Sequence, residues 1–193
     1  MRIYILHVLF IAFVFFLTPI THAEESRITL RSSYRDLSVS QVQSMSNITT
    51  SRKHSLGFSG YSTINHSYES KSINGDSVVI DNTTGLMWDQ SGSSTRMEWD
   101  KAKQMVDGLN KRGYAGYHDW RLPTVEEAVS LLESSKKYGL YIDSVFSKEQ
   151  KKIWTGDEFI SEDGAWCVYF RLGEVIWFNV GLFHFVRPVR SVK

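Results

Sequence analysis

The sequence predicts an α+β fold between about residues 73 and 193, with two helices and a mainly antiparallel sheet. Three observations carry that expectation. Two short β-rich runs are joined by a tight turn, two amphipathic stretches open on helix-capping patterns, and the C-terminal part is a succession of aromatic and β-branched segments separated by turns.

The first two strands are Ser77–Ile80 and Leu86–Trp88. They are linked by Asp81–Gly85, where Asp and Asn can bond their own backbone and Gly85 can take a positive φ. Thr95-Arg-Met-Glu98 has capping-box spacing, and Trp99, Ala102, Met105/Val106 and Leu109 follow at steps of three and four, which predicts a helix closing near Gly113. A second box, Thr124-Val-Glu-Glu127, opens a helix whose stripe is Val125, Ala128, Val129 and Leu132, with Pro123 stiffening its start. After Gly139 the pattern becomes extended: Ile153–Thr155, Ala165–Phe170, Glu174–Val180 and Phe185–Val192. Arg171–Glu174 is a short turn that makes the middle two a hairpin. Pro188 cannot donate to a ladder, so the last segment is an edge strand or carries a bulge.

Two segments precede this domain. Residues 1–23 read as a secretory signal: Arg2, the apolar run Ile3–Leu17, Pro19, and Thr21-His22-Ala23 before a cut. The run is shorter than the roughly 20 residues that span a bilayer. Export to the periplasm, the cell surface or beyond follows, with membrane attachment only if cleavage fails. Residues 24–72 are crowded with Ser and Thr, lack tryptophan, and carry only isolated apolar residues, which predicts a flexible linker or loosely docked arm. All six tryptophans lie beyond it.

Composition excludes several classes of function. A formal net charge of +1 lacks the electrostatic footprint of a nucleic-acid partner. A single cysteine, Cys167, forms no intramolecular disulfide, redox pair or thiolate zinc site, and among apolar neighbours it reads as a small core residue. No base or oxyanion donor is patterned around it, so no catalytic residue is assigned. His54, His66, His118 and His184 are scattered without metal-ligand spacing. Asp157, Glu158, Glu162 and Asp163 flank a loop where calcium is conceivable, but their spacing is not that of an EF-hand and a solvated loop is the expectation; no cofactor is expected.

The binding candidates lie in the last third, where Trp154, Trp166, Trp177, Phe178, Phe183 and Phe185 cluster. Alternation puts Val175, Trp177 and Asn179 on one face of a strand, and the polar Asn179 marks that face as the wetter one. Trp177 and Asn179 are therefore the expected ligand contacts, with Arg171, His184 and Arg187 as polar companions. Asp119-Trp-Arg-Leu-Pro-Thr124 reads instead as architecture: Trp120 and Leu122 enter the core, Arg121 bonds carbonyls or an acid, and Thr124 caps a helix.

Three segments taken together carry a resemblance: Asp81–Trp88, Gly113–Glu127, and Ala165–Gly173 leading to Val186–Arg190. Their order and spacing resemble the family named for the C-terminal domain of the Legionella collagen-like adhesin. The resemblance implies a C-type-lectin-like domain, a scaffold shared with formylglycine-generating enzymes and the variable receptor-binding proteins of diversity-generating retroelements. It also implies that fold alone does not choose among adhesion, sugar binding and catalysis. Relatives carry one cysteine late in the first helix and another in the closing strand; Val106 and Pro188 stand at about those places here, so packing must hold the ends together. The triplets typical of calcium-dependent sugar-binding lectins are missing, and so is the cysteine pair that a formylglycine-generating oxidase needs. Lys136-Lys137 and Lys148 with Lys151-Lys152 form basic groups that suit a sulfated glycan or acidic polymer, or else a solvated face. The reading is an exported, non-catalytic module that recognises a surface glycan or envelope protein. An enzyme on the same scaffold and a structural subunit of an envelope assembly are the alternatives.

Overall fold

A computed structural model describes residues 27–192, so the signal assigned to residues 1–23 lies outside the described residues. The α+β expectation holds: ten strands and three short α-helices are arranged as two sheets among the described residues. The larger sheet has the order β1 (Asp36–Leu37), β7 (Lys152–Phe159), β8 (Gly164–Tyr169), β9 (Glu174–Asn179), β3 (Gly57–Ser62), β2 (Ile48–His54), and the smaller one the order β10 (Val189–Ser191), β6 (Leu86–Asp89), β5 (Asp76–Asp81), β4 (Tyr68–Ile73). Every ladder is antiparallel except the short β1–β7 pair.

The two local hairpins form as their turns dictate. β5 (Asp76–Asp81) and β6 (Leu86–Asp89) pair across a turn in which Gly85 has φ +67°, a conformation that costs glycine nothing sterically. β8 (Gly164–Tyr169) and β9 (Glu174–Asn179) form the expected hairpin through Arg171–Gly173, with Ala165 opposite Phe178 and Val168 opposite Val175. The closing strand β10 (Val189–Ser191) lies on the edge of the smaller sheet, beside β6.

The helices divide on their caps. α3 (Val125–Ser130) has both halves of the capping box: Thr124 accepts from the Glu127 amide, and the Glu127 carboxylate accepts from the Thr124 amide. α2 (Trp99–Arg112) begins only after Glu98, which makes no side-chain cap bond. The capping box expected at Thr95 is therefore not formed, because Met97 is held in a backbone bridge to His184 and keeps that stretch extended. α2 ends as expected on Gly113 at φ +68°.

Residues 27–72 overturn the expectation of a flexible arm. They contain β1 (Asp36–Leu37), α1 (Val39–Val42), β2 (Ile48–His54), β3 (Gly57–Ser62) and β4 (Tyr68–Ile73). β1 adds to the free edge of β7 (Lys152–Phe159), β3 adds to the free edge of β9, and β4 extends the smaller sheet through β5. The segment needs no core of its own, since ladder bonds and a few buried anchors order it. Leu37, Val42 and Phe58 enter the main core, the Trp166 indole donates to the Leu37 carbonyl at 3.1 Å, and the Arg31 guanidinium grips buried Asp157 through two bonds of 2.8 Å.

Alternation along β8 splits the core in two. Trp166, Val168 and Phe170 join Val175, Ile153 and α3 residues on one face, while Ala165 and Cys167 join Trp154, Val186 and the buried stripe of α2 on the other. No disulfide is needed to close the ends. Val106 is buried in the second cluster, Arg121 and Val189 exchange backbone bonds of 2.9 Å, and Arg190 pairs with Asp119 at 2.7 Å. No helix among the described residues is long and apolar enough to cross a membrane.

Candidate functional site

A cleft of about 480 Å³ opens on the α2-side face of the larger sheet. Lys151 precedes β7, which begins there at Lys152, β8 ends there at Tyr169, and the hairpin turn adds Arg171. A segment returning from β9 supplies Phe183, His184 and Phe185, and the stretch before α2 supplies Arg96. Backbone bonds from Phe185 to Lys152 (3.0 Å), Trp154 to Phe185 (2.9 Å) and His184 to Met97 (3.0 Å) fix that returning segment.

Four cations, Arg96, Lys151, Lys152 and Arg171, face one carboxylate, Glu149. Such a surplus in a nearly neutral chain makes the cleft a local positive field. The Lys152 ammonium stands 3.9 Å from the Phe178 ring centroid and 4.4 Å from that of Tyr169. Burial holds its pKa below the ordinary lysine value. His184, 9% exposed, lies 4.5 Å from the Trp154 ring and 4.8 Å from that of Phe178. Burial, reinforced by the Lys152 charge, pushes its pKa down to about 4, so it is neutral at pH 7 and its Nε2 has no hydrogen-bond partner. The cleft's positive charge therefore comes from arginine and lysine and not from His184.

The five expected contacts do not converge. Arg171 and His184 line the cleft. Trp177 lies on the opposite face, beside Trp166 across the ladder and stacked on Phe159 at 4.3 Å, against the core that Leu37 completes. Asn179 is exposed, and its Oδ1 accepts from the Gly181 amide at 3.0 Å, the role of a turn residue. Arg187 is corrected outright, because it is fully buried. It donates to the carbonyls of Asp89 (2.9 Å), Gln90 (2.5 Å) and Ser147 (3.1 Å) and to Gln150 Oε1 (3.0 Å), and burial lowers its pKa to about 10. Alternation says which residues share a face, not which face another segment covers; here residues 27–42 cover the face assigned as wet. Arg96 and Tyr169 were missed. The Lys151-Lys152 pair between aromatic segments was the available signal.

The remaining motifs are architectural. Arg121 makes a two-pronged ion pair with buried Glu127 at 2.6 Å, and Trp120 and Leu122 are buried. Cys167 is fully buried, and burial pushes its thiol well above its ordinary pKa, which removes thiolate chemistry. Of the loop acids, Asp157 is buried and accepts from Arg31, the Arg35 amide (2.7 Å) and the Val125 amide (2.6 Å), while Glu158, Glu162 and Asp163 are exposed. Among the described residues no group of three or more His, Cys, Asp or Glu is placed to hold a metal ion. Lys137 pairs with Asp143 at 3.1 Å and Lys136 sits over Tyr141, apart from the cleft.

Comparison with curated proteins finds no match, and comparison with solved structures finds none. The family model of the Lcl C-terminal domain matches residues 77–190, from β5 to β10, more than half of the chain. The matched stretch includes the capped α3, the β8–β9 hairpin and every residue that lines the cleft: the chain belongs to the Lcl C-terminal domain family.

Proposed function

We propose that this chain is an exported, non-catalytic binding module of C-type-lectin-like architecture whose basic cleft holds an anionic group of a surface glycan. Membership of an adhesin-associated family fits a binding module, and an exported or surface protein, at a coarse level. The observation that carries the finer reading is the cleft itself: four cations against one carboxylate, around about 480 Å³ with Tyr169, Phe183 and Phe185 in its lining. Aromatic faces meet the C–H face of a sugar ring while guanidinium and ammonium groups meet sulfate or carboxylate. The one cysteine, Cys167, is buried with its thiol pKa pushed up, so it supplies no thiolate nucleophile.

A panel of glycans with and without sulfate or carboxylate tests this. Acidic members should bind, with affinity falling as salt rises. Arg171→Ala and Lys151→Ala should each weaken binding by about three- to tenfold with thermal stability unchanged. Equal binding by both variants and wild type, or preference for neutral glycans, refutes the cleft. Capture of an envelope protein without glycan binding points to the protein-partner reading instead. Export is tested by mass spectrometry of the mature N-terminus, expected at Glu24.

A further inference from the structure

Leu182 and Phe183 are consecutive and 46% and 55% exposed, at the turn that leads from β9 back to the cleft. Large apolar side chains in such a pair are left in water only at a cost. The turn is prebuilt: Asn179 Oδ1 accepts from the Gly181 amide, the Asn179 carbonyl accepts from the Leu182 amide at 3.0 Å, and His184 behind them is bridged to Met97. Phe183 also lines the cleft, in company with Arg96, Lys151 and Arg171. Phe183 thus stands at the rim of a cationic hollow, and Leu182 is its exposed neighbour in the chain.

A soluble polyanion uses the cations but has no use for Leu182. A protein partner that buried only this tip would fall well short of the roughly 1,000 Å² of a stable interface. An anionic bilayer uses both features together, with phosphates at headgroup level and an acyl boundary just beneath. We propose that this face docks on an anionic lipid surface, with Leu182 and Phe183 reaching the acyl boundary while Arg96, Lys151 and Arg171 hold headgroup phosphates. The proposal goes beyond the glycan reading and rests on the same cations of the cleft.

The test uses the chain from Glu24 onward with vesicles of phosphatidylcholine, alone or mixed with phosphatidylglycerol, and with heparin as a soluble polyanion. The chain should sediment with mixed vesicles and not with phosphatidylcholine alone. Each cation removed should weaken vesicle binding about fivefold. Leu182→Ser should lower vesicle binding about tenfold and leave heparin binding unchanged, and Leu182→Ser with Phe183→Ser should lower vesicle binding further. Melting curves confirm that the variants are folded. Vesicle binding that is indifferent to Leu182→Ser overturns the proposal. Heparin binding without vesicle binding overturns it too and leaves the glycan reading standing, whereas vesicle binding without heparin binding supports it and removes the glycan reading.

Discussion

Residues 27–72 and the family-matched region 77–190 reach order by different physics. The matched region holds all six tryptophans and is built on two dense clusters of buried side chains. The N-terminal segment buries only a few apolar residues, among them Leu37, Val42 and Phe58, and borrows the rest. Its strands complete ladders that β7 and β9 begin, and its Arg31 neutralises a carboxylate that the other region has already buried. A segment poor in apolar residues is thus not a flexible one when its neighbour offers free strand edges and an uncompensated charge.

The sharpest way to break this comparison is to attack each region at its own anchor. Trp166 is fully buried at the junction, packed in the main core and bonded to the Leu37 carbonyl. Trp166→Ala should cost about 4 kcal/mol, and denaturant unfolding should show both regions lost in one transition. Arg31→Ala leaves Asp157 buried with only backbone donors, which should cost about 3 kcal/mol. Its effect should be local, with amide exchange rising in residues 27–42 and little change in α2. If Arg31→Ala instead loosens α2 as much as β1, the N-terminal segment has no local opening of its own and the distinction fails.

What was legible in the sequence follows the same division. The α3 cap was readable because Thr124 and Glu127 are neighbours in the chain, and the β8–β9 turn because Gly173 lies between its strands. The ordering of the N-terminal segment was not, since its decisive ion pair joins residues 126 apart. The site shows both outcomes. Arg171 follows its hairpin turn to the cleft, as a local feature should. Trp177 shares its face of β9 with Val175, as alternation implies, yet that face lies against the main core that Leu37 joins. Arg187 could not be told from a surface arginine by sequence, because the carbonyls it satisfies come from Asp89, Gln90 and Ser147.

The cleft side of the matched region carries a pH signature. His184 has a pKa of about 4 in the folded chain against an ordinary value of 6.5, so the unfolded chain takes up a proton that the fold refuses. Its contribution to stability is complete above about pH 6.5, is lost progressively as pH falls toward 4, and is flat below. The full shift corresponds to about 3 kcal/mol, and screening on the cleft side reduces the expected loss to about 1–2 kcal/mol. His184→Phe should flatten the stability profile between pH 6.5 and 4. Asp81 and Asp143, whose pKa values are held below the ordinary carboxylate value, lose their contributions only at lower pH, so the two windows separate.

The finest test addresses one hydroxyl that bonds to both regions, that of Thr124. Thr124 Oγ1 accepts from the Glu127 amide at 3.2 Å as the cap of α3 and donates to the Arg31 carbonyl at 2.9 Å. Thr124→Ala should therefore cost about 1 kcal/mol for the cap and up to about 1 kcal/mol more for the bond to Arg31. Thr124→Ser keeps both bonds and should recover most of the loss. In a chain already carrying Arg31→Ala, where the segment is loosened, the cost of Thr124→Ala should shrink to the share of the cap alone. A double-mutant cycle reads that difference as a coupling of about 0.5–1 kcal/mol. A coupling of zero would mean that the Arg31 backbone stays in place without its side chain, and that strand pairing rather than the buried ion pair holds the N-terminal segment.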